Sequence, residues 1–269
     1  MRSATFPLLL ALLTLPLGAQ ETTPQAALEH LEKVGAATQA WVFQRNWDIQ
    51  AACPELNGMV EAALNQQIRQ SMAGMPIAPP PVRIQYFILS RRDRNFGVRV
   101  KLGGIPEEME RMLEPEANKW LATSPQASML KMLLLQPLAF PTLGQGTILK
   151  DAEIAVHRET AEAVDLVATP NAAANAQIMG RPVKNLALRI DKAAHTILIL
   201  QANFADETMV QAKFDYAQVQ AKDGETFHVP AAIAMKQKGV ANFAPGVALP
   251  ETSTMRYANH IIAAPAAGQ

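Results

Sequence analysis

The stretch VKNLALRIDKAAHTILILQANFADETMVQAKFDYAQVQ, residues 183–220, decides the fold. Leu186, Leu188 and Ile190 fall on one side of an extended chain, and Ala187 and Arg189 fall on the other. The pattern resumes over 197–204 after the turn DKAAH, and again over 209–219 after ADET. A period of two, broken by short polar turns, predicts consecutive antiparallel strands with one apolar and one wet face.

The same pattern extends in both directions. Downstream, KDGE leads into a strand over 227–236, and STMRYANHIIA places Met255, Tyr257 and Ile261 on one face of a last strand. The tail from 263 to 269 has the composition of a disordered end. Upstream, the chain from Thr147 reads as short strands with polar turns, and VRIQYFILSRRDRNFGVRVKL reads as a hairpin. In that hairpin Ile84, Tyr86 and Ile88 alternate with Gln85, Phe87 and Leu89, and Phe96, Val98, Val100 and Leu102 alternate with Gly97, Arg99 and Lys101. The basic run from Arg91 to Arg94 reads as a solvated hairpin end.

Helical periodicity is confined to the first half. Thr23 and Pro24 suit a helix start, and Ala27, Leu28, Leu31 and Val34 share a face until Gly35 weakens the pattern. TQAWVFQRNWDIQ then predicts a first strand, with Trp41, Phe43 and Arg45 on one side. A second helix is expected over 55–72 and a stiff proline arm over 74–81. Residues 105–140 predict a helical insertion: two short helices separated at Pro115, then a segment opened by Ser124 and Pro125 that carries Met129, Leu130, Met132, Leu133, Leu134 and Leu135. So many flexible apolar side chains imply a helix buried on all sides or a lid over an apolar cavity.

The first nineteen residues, with Arg2, an apolar run and Gly18–Ala19, predict a cleaved export signal with the cut after Ala19. The run is short of the roughly 20 residues that cross a bilayer. Cleavage leaves 23 basic against 24 acidic side chains, a balance without an electrostatic footprint for nucleic acid. Cys53 is the single cysteine, so the fold rests on apolar burial without an internal disulfide. Its place before a helix could lower the thiol pKa, although a lone cysteine in an exported chain is expected to be inert.

A strand ending in LRID, an apolar second strand, the turn ADET, FDYAQVQ, FHVP and a last strand together resemble the periplasmic lipoprotein-carrier family, the LolA/LolB-like superfamily. That resemblance spans Val183 to about Ile262. It implies an α+β fold, a curved, half-open antiparallel sheet or incomplete barrel with helices over its concave apolar face, where acyl chains or lipidated protein bind. Arg45 is the positional candidate for a cargo-contacting arginine.

Chemistry points the same way by default. His30, His157, His195, His228 and His260 lack metal-ligand spacing, and GxSxG, Gly-rich phosphate and HExxH motifs are missing. Asp191 and His195 flank a turn and could form a local pair. Glu153, Glu159 and Glu162 are unpaired in sequence. The expectation is therefore no catalytic residue, no metal and no cofactor. The chain reads as a signal peptide over 1–19 and one domain over 20–262, acting in the periplasm as a lipid or lipoprotein carrier. The alternative is a sensor or scaffold domain of the same fold that binds a protein through a sheet edge or the proline arm. Candidate cavity residues are Trp41, Phe43, Tyr86, Ile88, Val98, Val100, Leu186 and Leu188 for the wall, and Met129, Leu130, Leu133 and Leu134 for the lid.

Overall fold

The meander forms as its periodicity dictates. In a computed structural model, which describes residues 23–71, 80–139, 152–171, 176–178, 181–239 and 250–264, the chain runs α1 (Pro24–Val42), β1 (Trp47–Ala52), α2 (Pro54–Ser71), β2 (Arg83–Arg92), β3 (Asn95–Gly103), α3 (Glu107–Thr123) and α4 (Pro125–Ala139). It continues through β4 (Glu153–Glu159), β5 (Ala163–Thr169), β6 (Gln177–Ile178), β7 (Arg181–Asp191), β8 (Thr196–Phe204), β9 (Met209–Gln220), β10 (Thr226–Lys238) and β11 (Thr252–Ile262). The proposed signal segment, most of the proline arm and the end of the tail lie outside the described residues.

All eleven strands of the described residues join one antiparallel sheet in the order β3-β2-β1-β11-β10-β9-β8-β7-β5-β4, with β6 on β7. Among the described residues β3 and β4 do not pair with each other, so the sheet stays open. Turn chemistry sets the register. Asp93 and Arg94 both have positive φ, the two-residue loop geometry whose twist matches the flanking strands β2 and β3. Glu207 and Gly224 take the left-handed position at the ends of the β8–β9 and β9–β10 turns.

The helices lie on one face. Buried Leu186, Leu188, Ile190, Leu200, Ala202, Phe204, Ala212 and Phe214 of the sheet share a continuous core with Leu31 and Val34 of α1, Leu56 and Leu64 of α2, Leu113 of α3 and Leu134 of α4. Helix α1 meets β4 and β8, α2 meets β2 and β11, α3 meets β3, and α4 packs on α3 and α1.

Several expectations need correction. The stripe Ala27, Leu31, Val34, Thr38, Trp41 and Val42 is helical in spacing and buried, so α1 continues through Gly35 and takes residues 38–42 of the expected first strand, while residues 47–50 do fall in β1. The indole N–H of Trp47 closes that helix end on the Val42 carbonyl at 3.1 Å. Helix α3 also runs unbroken through Pro115. Pro115 and Arg111 are exposed, so the carbonyl freed by the proline faces water. In β2 a bulge between Ile84 and Tyr86 reverses the alternation, which sends Phe87 and Leu89 inward and leaves Tyr86 and Ile88 half-buried on the outer face. Asn259, at φ 50°, does the same in β11: Ile262 is buried and Ile261 exposed. Arg91 is not solvated; it is buried and donates to the Arg45 carbonyl at 2.7 Å.

Candidate functional site

Where the second half of α1 meets the sheet, the structure leaves a cleft of about 210 Å³. Its α1 wall is Ala37, Thr38, Ala40 and Trp41, and Leu138 of α4 joins them. Tyr216 of β9 and Phe227, His228 and Pro230 of β10 form the opposite wall, and Ala194 and His195 of the β7–β8 turn with Thr196 at the start of β8 close one end. The floor is apolar: Trp41, Leu138 and Phe227 are buried.

Tyr216 belongs to the alternating face that carries Ala212 and Phe214, and its ring stacks on Phe214 with centroids 6.1 Å apart. Its hydroxyl donates to the Ile197 carbonyl at 3.0 Å, while burial pushes the phenol pKa up, so it remains a neutral donor. His195 sits at φ 50° with a buried Nδ1 that has no hydrogen-bond partner. The expected Asp191–His195 pair does not form, because Asp191 Oδ1 accepts the Ala193 and Ala194 amides at 2.9 and 2.8 Å. Those bonds fix the turn locally.

Arg45 is also not where a cargo-contacting arginine was expected. It lies in the α1–β1 loop, 5% exposed, with Nη1 2.7 Å from Asp223 and Nη2 bonded to Glu225. Nη1 also donates to the Ala263 carbonyl at 3.3 Å. The guanidinium covers the Phe227 ring, so Arg45 clamps the β9–β10 turn beneath the cleft. Arg45 beside Asp223 holds that carboxyl below its usual range.

The remaining sequence candidates separate. Val98 and Val100 of β3, and Leu186 and Leu188 of β7, are buried on the concave face. Leu130, Leu133 and Leu134 of α4 are buried beneath it. The Met129 side chain lies outside the described residues. Phe43 is 38% exposed and meets Phe96 edge-on at 5.8 Å, outside the cleft. Tyr86 and Ile88 are on the convex side, so they cannot wall a concave cavity. Of the eleven candidates whose side chains are described, only Trp41 lines the cleft. The sequence signal for the missed residues was the FDYAQVQ alternation, which puts Tyr216 with Phe214, and the FHVP segment.

Cys53 is fully buried and burial pushes its thiol up to about 12, the reverse of helix-terminus activation. Among the described residues no group of three metal-ligating side chains forms, and no helix is long and apolar enough to cross a membrane.

No family model matches the sequence, and no curated protein matches it. Solved structures similar over most of the chain include the following three. A domain of a Vibrio parahaemolyticus protein described as outer-membrane lipoprotein-sorting is 8% identical, with a TM-score of 0.41 over 90% of this chain and 93% of its own. A DUF1329 family protein from Desulfovibrio piger is 8% identical, with a TM-score of 0.40 over 92% and 95%. A LolA superfamily protein from Nitrosomonas europaea is 10% identical, with a TM-score of 0.31 over 87% and 92%.

Proposed function

We propose that the protein, exported to the periplasm and acting as one unit over residues 20–262, binds without catalysis and shields an acyl chain or lipidated protein segment against its concave sheet. The observation that carries this reading is the apolar-floored cleft where α1 and α4 meet the sheet. Trp41, Leu138 and Phe227 would take the first methylenes, each contributing about 0.8 kcal/mol on leaving water.

At about 210 Å³ the cleft is smaller than the roughly 300–1,000 Å³ of most small-ligand sites. A whole chain therefore requires α4 to move. Its leucines Leu130, Leu133, Leu134 and Leu138 are buried against neighbouring elements, and the helix packs on α1 and α3. Such a helix exchanges one apolar neighbour for another when a ligand enters.

The scaffold alternative has less support at one sheet edge, because α3 covers β3: Val100 N–H donates to Asn118 and Leu102 N–H to Glu114. Native mass spectrometry of protein purified from a periplasmic fraction, with extraction of bound lipid, tests the carrier reading. A stoichiometric acylated species is the expected result. An empty protein that also gains no thermal stability from saturating acyl ligands overturns it.

A further inference from the structure

The convex face carries a separate groove of about 340 Å³, within the size range of small-ligand sites. Strand register builds its charged end. Arg158 of β4 is directly opposite Asp165 of β5, Asp165 is opposite Arg189 of β7, and Arg189 is opposite Ile199 of β8. All four point away from the core, since their neighbours Leu166, Leu188 and Leu200 fill the concave side.

Asp165 is unusual for an outward strand residue. Its Oδ1 is buried without a hydrogen-bond partner, and the Arg189 Nε at 3.8 Å is beyond hydrogen-bonding distance. Burial holds the Asp165 pKa above its usual value despite Arg189, Arg158 and His157. A buried acceptor without a donor is costly, and an N–H supplied by a ligand removes that cost.

The other end is neutral and rich in amides. Asn203 donates to Asn185 at 2.6 Å, Gln201 donates to Asn203 at 2.9 Å, and Gln211 donates to Gln201 at 3.3 Å. Between the ends lie Val167 and Ala187, and Ile199 is beside Arg189. Arg189 and Asn185 are four residues apart on β7, about 13 Å at roughly 3.3 Å per residue. That is the length of about four residues of extended chain.

We propose that this groove binds a short extended peptide by its carboxyl end. The terminal carboxylate would lie on Arg158 and Arg189, whose planar forks suit carboxylate oxygens. With the Asp165 carboxylate turned towards the groove, a peptide N–H would reach it, an apolar side chain would cover Ala187 and Ile199, and peptide groups would pair with the amides of Gln201 and Asn203. An oligosaccharide fits the amides but leaves the two guanidinium groups without an anion. The site is on the opposite face from the cleft between α1 and the sheet and does not depend on the carrier reading.

Isothermal titration of the full chain with the tetrapeptide Ala-Ala-Leu-Ala, as free acid and as C-terminal amide, tests the assignment. Saturable binding of the free acid is expected, weakened at least about tenfold by amidation, by Arg189→Gln and by the exposed-site variant Arg158→Gln. Thermal melts of both variants establish folding. Equal binding of acid and amide, equal binding to a folded Arg189→Gln protein, or no saturable binding up to about 10 mM overturns the proposal. Tighter binding of chitotriose that Arg158→Gln leaves unchanged overturns it in favour of a sugar.

Discussion

The guanidinium of Arg45 lies 4.8 Å from the centroid of the Phe227 ring, and the same side chain holds Asp223 at 2.7 Å. One cation thus ties the loop that starts β1 to the turn and strand that form the cleft floor. Arg45→Met keeps the aliphatic length and removes the charge. It is expected to lose about 1–2 kcal/mol through the cation–π contact alone. Urea denaturation checks this, and a double-mutant cycle with Phe227→Leu isolates the pair. An additive cycle would mean that the ring merely packs beside the arginine stem.

Acid is expected to loosen the helical cover. Burial holds the pKa values of His30 and His260 below the ordinary 6.5. Below pH 6.5 the unfolded chain takes up protons that the folded protein refuses, so stability is fully present above that value and falls as pH drops towards the folded pKa. His30 on α1 faces Glu159, Lys192 and His195 across the interface and Lys33 on its own helix. Glu159 favours the charged ring, but burial and the other cations oppose it. Asp165, whose pKa is raised, works in the opposite direction. Urea midpoints at pH 7.5 and 5.5 should differ, and His30→Gln should shrink the difference. An identical difference in that variant would remove His30 from this account.

The sheet was legible because its alternation is strict where both faces are defined. Leu186 and Leu188 are where their pattern places them. Tyr86 and Ile88 failed because both parities of β2 are apolar, so only the bulge decides which set points inward. The first-strand reading of Trp41 and Phe43 gave way for a related reason: three alternating residues cannot outweigh a helical stripe that begins at Ala27, although Trp41 still lines the cleft. The cleft was almost illegible. It brings α1 against β9 and β10, and no local period relates Trp41 to Phe227.

Helix α4 has a core role that mutation can measure. Leu134 is fully buried, and Leu134→Ala should cost about 2–5 kcal/mol in urea denaturation. Met112, 53% exposed on α3, serves as the control, with Met112→Ala expected within about 0.5 kcal/mol of the parent. A loss below about 1 kcal/mol for Leu134→Ala would mean that α4 is already partly detached in the unliganded protein.

The β3 edge is closed by side chains in place of a further strand. Asn118 Oδ1 accepts the Val100 N–H at 2.8 Å, and Asn118 Nδ2 donates to the Val100 carbonyl at 3.4 Å and to the Glu114 carbonyl at 2.9 Å. Asn118→Ala strips both Val100 groups of their partner, at a cost of about 1–3 kcal/mol. The exposed pair also becomes a template for another chain. Light scattering during storage should therefore rise in the variant, alongside a lower urea midpoint. Lower stability without association would mean that the bulk of α3, more than its hydrogen bonds, keeps the edge closed.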